Sequence, residues 1–142
     1  MDDRDPAVDL FDAVRRQLER TDRVPDDDAA MVHMAHAYVH HWAQVGGEVN
    51  LARGEWQVSR VYSVIRRGEP ALWHARRCLD LCTRYEIADW DLAYAHEAMA
   101  RAYSVLGDEA ACARHVAAAR EVEIAEGDDR ELLEKDLATI AV

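Results

Sequence analysis

A hexapeptide written twice constrains this chain more than any other feature. Arg60-Val61-Tyr62-Ser63-Val64-Ile65 recurs 41 positions later as Arg101-Ala102-Tyr103-Ser104-Val105-Leu106. The spacing holds on both sides of it. Upstream, Asn50-Leu51-Ala52 returns as Asp91-Leu92-Ala93; downstream, His74 returns as His115, Cys78 as Ala119 and Leu81 as Val122. The same interval reaches back to Asp9-Leu10 and His33, and forward to Leu133. A fixed period in the range of about 20–50 residues marks stacked supersecondary units, none of which can bury its apolar face alone.

The units are helical. No segment alternates apolar and polar residues with β-branched enrichment, so strands are not expected. Leu10, Phe11, Val14 and Leu18 give one apolar stripe at helical spacing. Pro6 and Pro70 suit first turns, where a missing N–H costs nothing, and Gly46-Gly47, Gly68 and Gly107 read as stops. Seven helices follow, over about 6–22, 28–45, 49–67, 70–85, 89–106, 108–125 and 129–141. Short loops between them make sequence neighbours antiparallel.

Length and charge exclude several classes. A chain of 142 residues is one domain, and half of it is apolar. Its net charge of −11 opposes nucleic acid and anionic membrane surfaces, both of which need basic protein faces. No apolar run approaches the ~20 residues of a spanning helix. Met1-Asp2-Asp3-Arg4-Asp5 is acidic where a signal peptide would be apolar, and three cysteines without framework spacing fit reduced thiols. Together these features lead us to expect a cytoplasmic protein.

The two clear copies resemble the tetratricopeptide repeat, in a long-helix form. The small, aromatic and glycine positions of that family fall on Ala100, Cys112, Ala119, Tyr103 and Gly107 in one copy. In the other they fall on Ser59, Ala71, Cys78, Tyr62 and Gly68, with the glycine displaced by two residues. A first copy is degenerate but keeps Ala30 and Ala37. The resemblance implies an all-α, right-handed α-α superhelix of about seven antiparallel helices. It has three pairs, over about 8–46, 49–86 and 90–126, and a capping helix over 128–141 with Glu131, Glu134, Lys135 and Asp136 outward.

The resemblance also implies a groove along the first helix of each pair. The groove positions carried over are Arg53, Trp56, Arg60 and Ser63, then Tyr94, Glu97, Arg101 and Ser104. Arg60 and Arg101 occupy equivalent places, and two guanidiniums on one wall can grip a carboxylate or phosphate by paired N–H···O bonds. Trp56 and Tyr94 would add aromatic contacts. The competing outcome is that both arginines pair with Glu55, Glu97 or another acid of the protein itself.

A second candidate is the histidine stripe. His33, His36 and His40 share one helix face, and with Glu55 they form a potential ligand set for a divalent transition metal. Ala37 stands where a zinc protease would carry glutamate, so no hydrolase is implied. Cys78 and Cys82 lie one turn apart without Cys-x-x-Cys spacing, and Cys78 falls on a buried small-residue position. No catalytic constellation is present. The expectation is therefore a peptide-binding or small-acid-binding adaptor without cofactor. A metal-dependent protein is the alternative, and a structural homodimer the third.

Overall fold

The computed structural model describes residues 6–140. The acidic segment 1–5 and the expected end of the last helix at Ala141 lie outside the described residues. Seven helices occur in order: α1 Pro6–Leu18, α2 Pro25–Val45, α3 Glu48–Val64, α4 Gly68–Arg84, α5 Asp89–Leu106, α6 Glu109–Glu121 and α7 Gly127–Ala138. No strand is present among the described residues, and no helix among them is long and apolar enough to cross a membrane.

Contacts sort the helices into two layers. α1 touches α3, α3 touches α5 and α5 touches α7; α2 packs on α1 and α3, α4 on α3 and α5, and α6 on α5. Helix α5 is the hub, and its composition explains how. Ala93, Ala95, Ala98, Ala100 and Ala102 are all buried, so neighbours approach its backbone from several sides. A polar helix could not be surrounded in this way.

The six small positions expected of the two clear copies are all buried: Ser59, Ala71, Cys78, Ala100, Cys112 and Ala119. Ser59 keeps its hydroxyl paired by donating to the Ala71 carbonyl across the α3–α4 contact, at 2.7 Å. The first copy departs from expectation. Ala30 and Ala37 are exposed, and α2 instead buries Met31, Ala35 and Tyr38. Its apolar stripe is thus turned relative to the repeat register.

The helix ends repeat too. At the end of α3 the Arg66 N–H reaches the Ser63 carbonyl at 3.1 Å, and the Arg67 N–H reaches Tyr62 at 2.8 Å. Forty-one positions on, Gly107 reaches Ser104 at 3.1 Å and Asp108 reaches Tyr103 at 3.0 Å. The left-handed residue is Arg66 in the first case (φ 66°) and Gly107 in the second (φ 82°). Gly68 is therefore not a displaced cap. It is buried at the start of α4, where an added Cβ would lie 2.6 Å from Leu106 Cδ2.

Three boundaries move for a physical reason. Helix α1 stops at Leu18, not Asp22, and Arg23 donates from Nη1 to the carbonyls of Gln17, Leu18 and Arg20. Helix α6 stops at Glu121, not Ala125, and Arg130 donates to the carbonyls of Arg120 and Val122. Each arginine satisfies carbonyls that the helix end leaves without partners. Helix α2 starts early, at Pro25, because the Asp27 carboxylate accepts the Val24 N–H at 3.0 Å.

The paired caps yield a test. A side chain other than glycine held left-handed costs roughly 1–2 kcal/mol. Arg66→Gly should therefore raise unfolding free energy by about 1 kcal/mol after the entropic penalty of glycine. Gly107→Ala should lower it by a similar amount, since its Cβ would meet nothing within 4 Å and only conformation is at stake. Urea unfolding of the two variants checks both signs.

Candidate ligand-binding cleft

A cleft of about 340 Å³ opens between α1, α3, α5 and α7, closed at its base by α4 through Cys78. Its lining is mainly apolar: Phe11 and Leu18 from α1, Trp56 from α3, Trp90 and Tyr94 from α5, and Leu132 from α7. Aromatic edges meet faces along one wall. Trp56 and Tyr94 lie 5.8 Å apart at 89°, and Trp90 and Tyr94 lie 5.6 Å apart at 83°. These are favoured quadrupole geometries.

Two polar atoms of that wall are held by carboxylates. Trp56 Nε1 donates to Glu97 Oε2 at 2.9 Å. The Tyr94 hydroxyl donates to Asp136 Oδ2 at 2.5 Å. Burial, and then that bond to a carboxylate, push the Tyr94 pKa above the usual phenol range. Arg53 makes a forked pair with Asp91, at 2.9 and 3.1 Å, and lies 4.9 Å over the Trp90 ring. The hydrogen bond to Asp91 holds the Arg53 pKa above its ordinary value.

Three of the six expected binding residues, Arg53, Trp56 and Tyr94, therefore line the cleft. The other three meet one another. Arg60 Nη1 and Arg101 Nε approach the same atom, Glu97 Oε1, at 3.3 and 2.9 Å, and Glu97 is 1% exposed. Arg101 also donates from Nη2 to the Asp136 carbonyl at 3.0 Å and to Thr139 Oγ1 at 2.8 Å. Burial, and then the like charge of Arg101, lower the Arg60 pKa. The equivalent arginines do converge, but the carboxylate between them belongs to the protein.

Asp136 was expected outward on the last helix. It is half-buried instead, because Tyr94 and Arg101 both reach it. Trp90, Asp91, Gln57 and Leu132 had no place among the sequence candidates. Trp90 and Asp91 lie in the first turn of α5, beside the aligned Leu92-Ala93, which is the one sequence cue to them. Leu132 and Asp136 come from outside the two clear copies.

The histidine stripe does not gather. His33 and His40 are exposed, and His40 meets Gln44 at 3.1 Å. His36 bonds to the Tyr62 hydroxyl at 2.8 Å, while Glu55 takes His74 Nδ1 at 3.0 Å. Among the described residues no group of three or more His, Cys, Asp or Glu side chains is arranged to hold a metal ion. Cys78, Cys82 and Cys112 are free and buried.

The repeat does place two histidine sites in register. His74 stacks on Tyr62 at 5.8 Å and 15°; His115 stacks on Tyr103 at 5.7 Å and 18°. The partner of His74 is Glu55, and the position 41 further on is His96, whose Nδ1 lies 3.1 Å from His115 Nδ1. Two imidazoles so placed can share one proton but not hold two charges comfortably. Burial lowers the pKa of His96, and burial followed by His96, Arg114 and Arg76 lowers that of His115.

A stability profile should record this pair. Both folded pKa values lie below the unfolded value of about 6.5, so the unfolded chain binds more protons in acid. Their contribution is complete above pH ~6.5 and is lost as pH falls through the folded values. His36, lowered by burial and then by His74, acts in the same direction. The melting temperature should therefore fall as pH drops below about 6.5. His96→Glu, which copies the Glu55–His74 arrangement, should make that drop shallower. An equally steep profile in the variant would remove the pair as its source.

Comparison with known proteins adds no relative: no family model matches this chain, and no curated protein or solved structure matches it.

Proposed function

We propose that this chain is a tetratricopeptide-like helical-repeat binding protein, an adaptor that recognises a peptide by admitting one apolar side chain to the cleft between α1, α3, α5 and α7. The observation that carries the reading is the cleft itself, with Phe11, Trp56, Trp90 and Tyr94 around about 340 Å³. A volume near the lower end of ligand pockets suits a single side chain rather than a length of backbone. The duplicated caps and Tyr–His stacks support a repeat architecture, and the cleft falls on its odd-numbered helices, where a groove is expected.

The ligand chemistry shifts from that expected of the sequence. A small acid would have met Arg60 and Arg101, yet both are engaged by Glu97. Arg53 is likewise engaged by Asp91. Apolar contact therefore leads, with charge confined to the rim, where Arg15 stands.

Leu132 gives a clean test, because it lines the cleft yet is 50% exposed. Peptides would be selected from a random displayed library and their affinities measured by calorimetry. Leu132→Asp should weaken the best of them about tenfold or more, since burying an apolar side chain is worth roughly 1.5–3 kcal/mol. Thermal stability should hardly move, as befits an exposed site. Failure to enrich any peptide, or affinities indifferent to Leu132→Asp, would overturn the reading.

A further inference from the structure

Gln57 points to the kind of side chain the cleft takes. The residue, on α3, is 1% exposed and lines the cleft with Phe11. Nε2 donates to the Phe11 carbonyl at 3.0 Å. That carbonyl can only accept, so the amide cannot be turned round, and the free end is the oxygen. Gln57 Oε1 is buried with no hydrogen-bond partner. Two other side-chain atoms among the described residues share that condition, Trp42 Nε1 and Ser63 Oγ, and neither residue lines this cleft. Buried acceptors are nearly always paired, so an orphan next to an open apolar cleft calls for a donor from outside.

The rest of the wall has the same bias. The N–H of Trp56 and the O–H of Tyr94 are already donated, to Glu97 and Asp136. Arg53 turns Nε and Nη2 to Asp91. The rest of the lining is aromatic and aliphatic surface, with Arg15, Asp91 and Asp136 as its other charged groups and the Gln57 amide beside Phe11. On the reading of the cleft as a peptide site, we propose that the inserted side chain is an aromatic ring carrying one N–H or O–H donor, which Gln57 Oε1 accepts. Trp56, Trp90 and Tyr94 supply the faces and edges against which such a ring packs.

Indole and indene test this, being alike in size and shape but differing in one N–H. Binding to the full chain would be followed by calorimetry and by chemical-shift changes at the Trp56 and Trp90 indoles. Indole should bind at least about tenfold more tightly than indene, because a site that accepts a hydrogen bond rejects the analogue lacking the donor. A blocked glycine-flanked tryptophan pentapeptide should bind as well as indole does. Gln57→Leu should erase the preference while leaving indene binding intact. Should that variant fail to fold, the wild-type comparison still decides.

Equal affinity for the two probes overturns the donor and leaves the apolar cleft standing. Binding of indole but not of the pentapeptide overturns the peptide as its source. If neither probe binds, or if the shifts fall elsewhere, the proposal fails as a whole. The displayed-library experiment with Leu132→Asp then judges the broader reading on its own.

Discussion

The carboxylate of Glu97 ties α3 to α5. It sits on α5 with almost no exposure, takes Arg60 and Trp56 from α3, and takes Arg101 from its own helix. Arg101 then reaches past it to Asp136 and Thr139 at the end of α7. A buried carboxylate without partners would be protonated or expelled. Here three donors from two helices offset its desolvation. Removing one partner of such a group typically costs about 3–5 kcal/mol, much of it the exposure of an unpaired charge to an apolar interior. The layer α3–α5–α7 thus has a defined register, not only an apolar contact.

The same carboxylate marks where the repeat stops being symmetric. Trp56 and Glu97 are equivalent positions, 41 residues apart, and each is the partner of the other. Glu55 and His96 are the next equivalent pair, and they give the two histidine sites opposite electrostatics. A perfectly repeated chain would place tryptophan against tryptophan and glutamate beside histidine twice. Divergence at these positions converts a stacking surface into a specific lock between units. It also gives one Tyr–His stack a second imidazole as neighbour where the other has a carboxylate.

Periodicity explains part of what could be read from the sequence. Helix number follows from the proline and glycine stops, the buried small residues of α3 to α6 from the tetratricopeptide resemblance, and the convergence of Arg60 with Arg101 from the 41-residue spacing. What spacing cannot express is pairing across units. Arg53 with Asp91 and Tyr94 with Asp136 join positions of unlike register, and so the cleft's inner side was hidden. Arg66 shows a related limit. A glycine rule points to Gly68, but the backbone bonds select Arg66 as the left-handed residue, and Gly68 answers to Leu106 instead. Likewise Arg23 and Arg130 reach the last carbonyls of α1 and α6 from further along the chain, Arg130 from α7.

These pairings have a consequence for binding. Trp56 is held by Glu97, Tyr94 by Asp136, and Trp90 lies under Arg53, itself held by Asp91. Trp56 and Tyr94 therefore have their orientation set by carboxylates, and Trp90 packs against the Arg53–Asp91 pair. Immobilising a rotamer-rich side chain on binding costs roughly 0.5–1.5 kcal/mol, and a wall already fixed avoids most of that. The acidic excess of the chain then has a local use beyond solubility. Glu97 and Asp136 take the Trp56 N–H and the Tyr94 O–H of the wall, and Asp91 takes Arg53. Gln57 Oε1 is a buried acceptor without a partner on a residue of this lining.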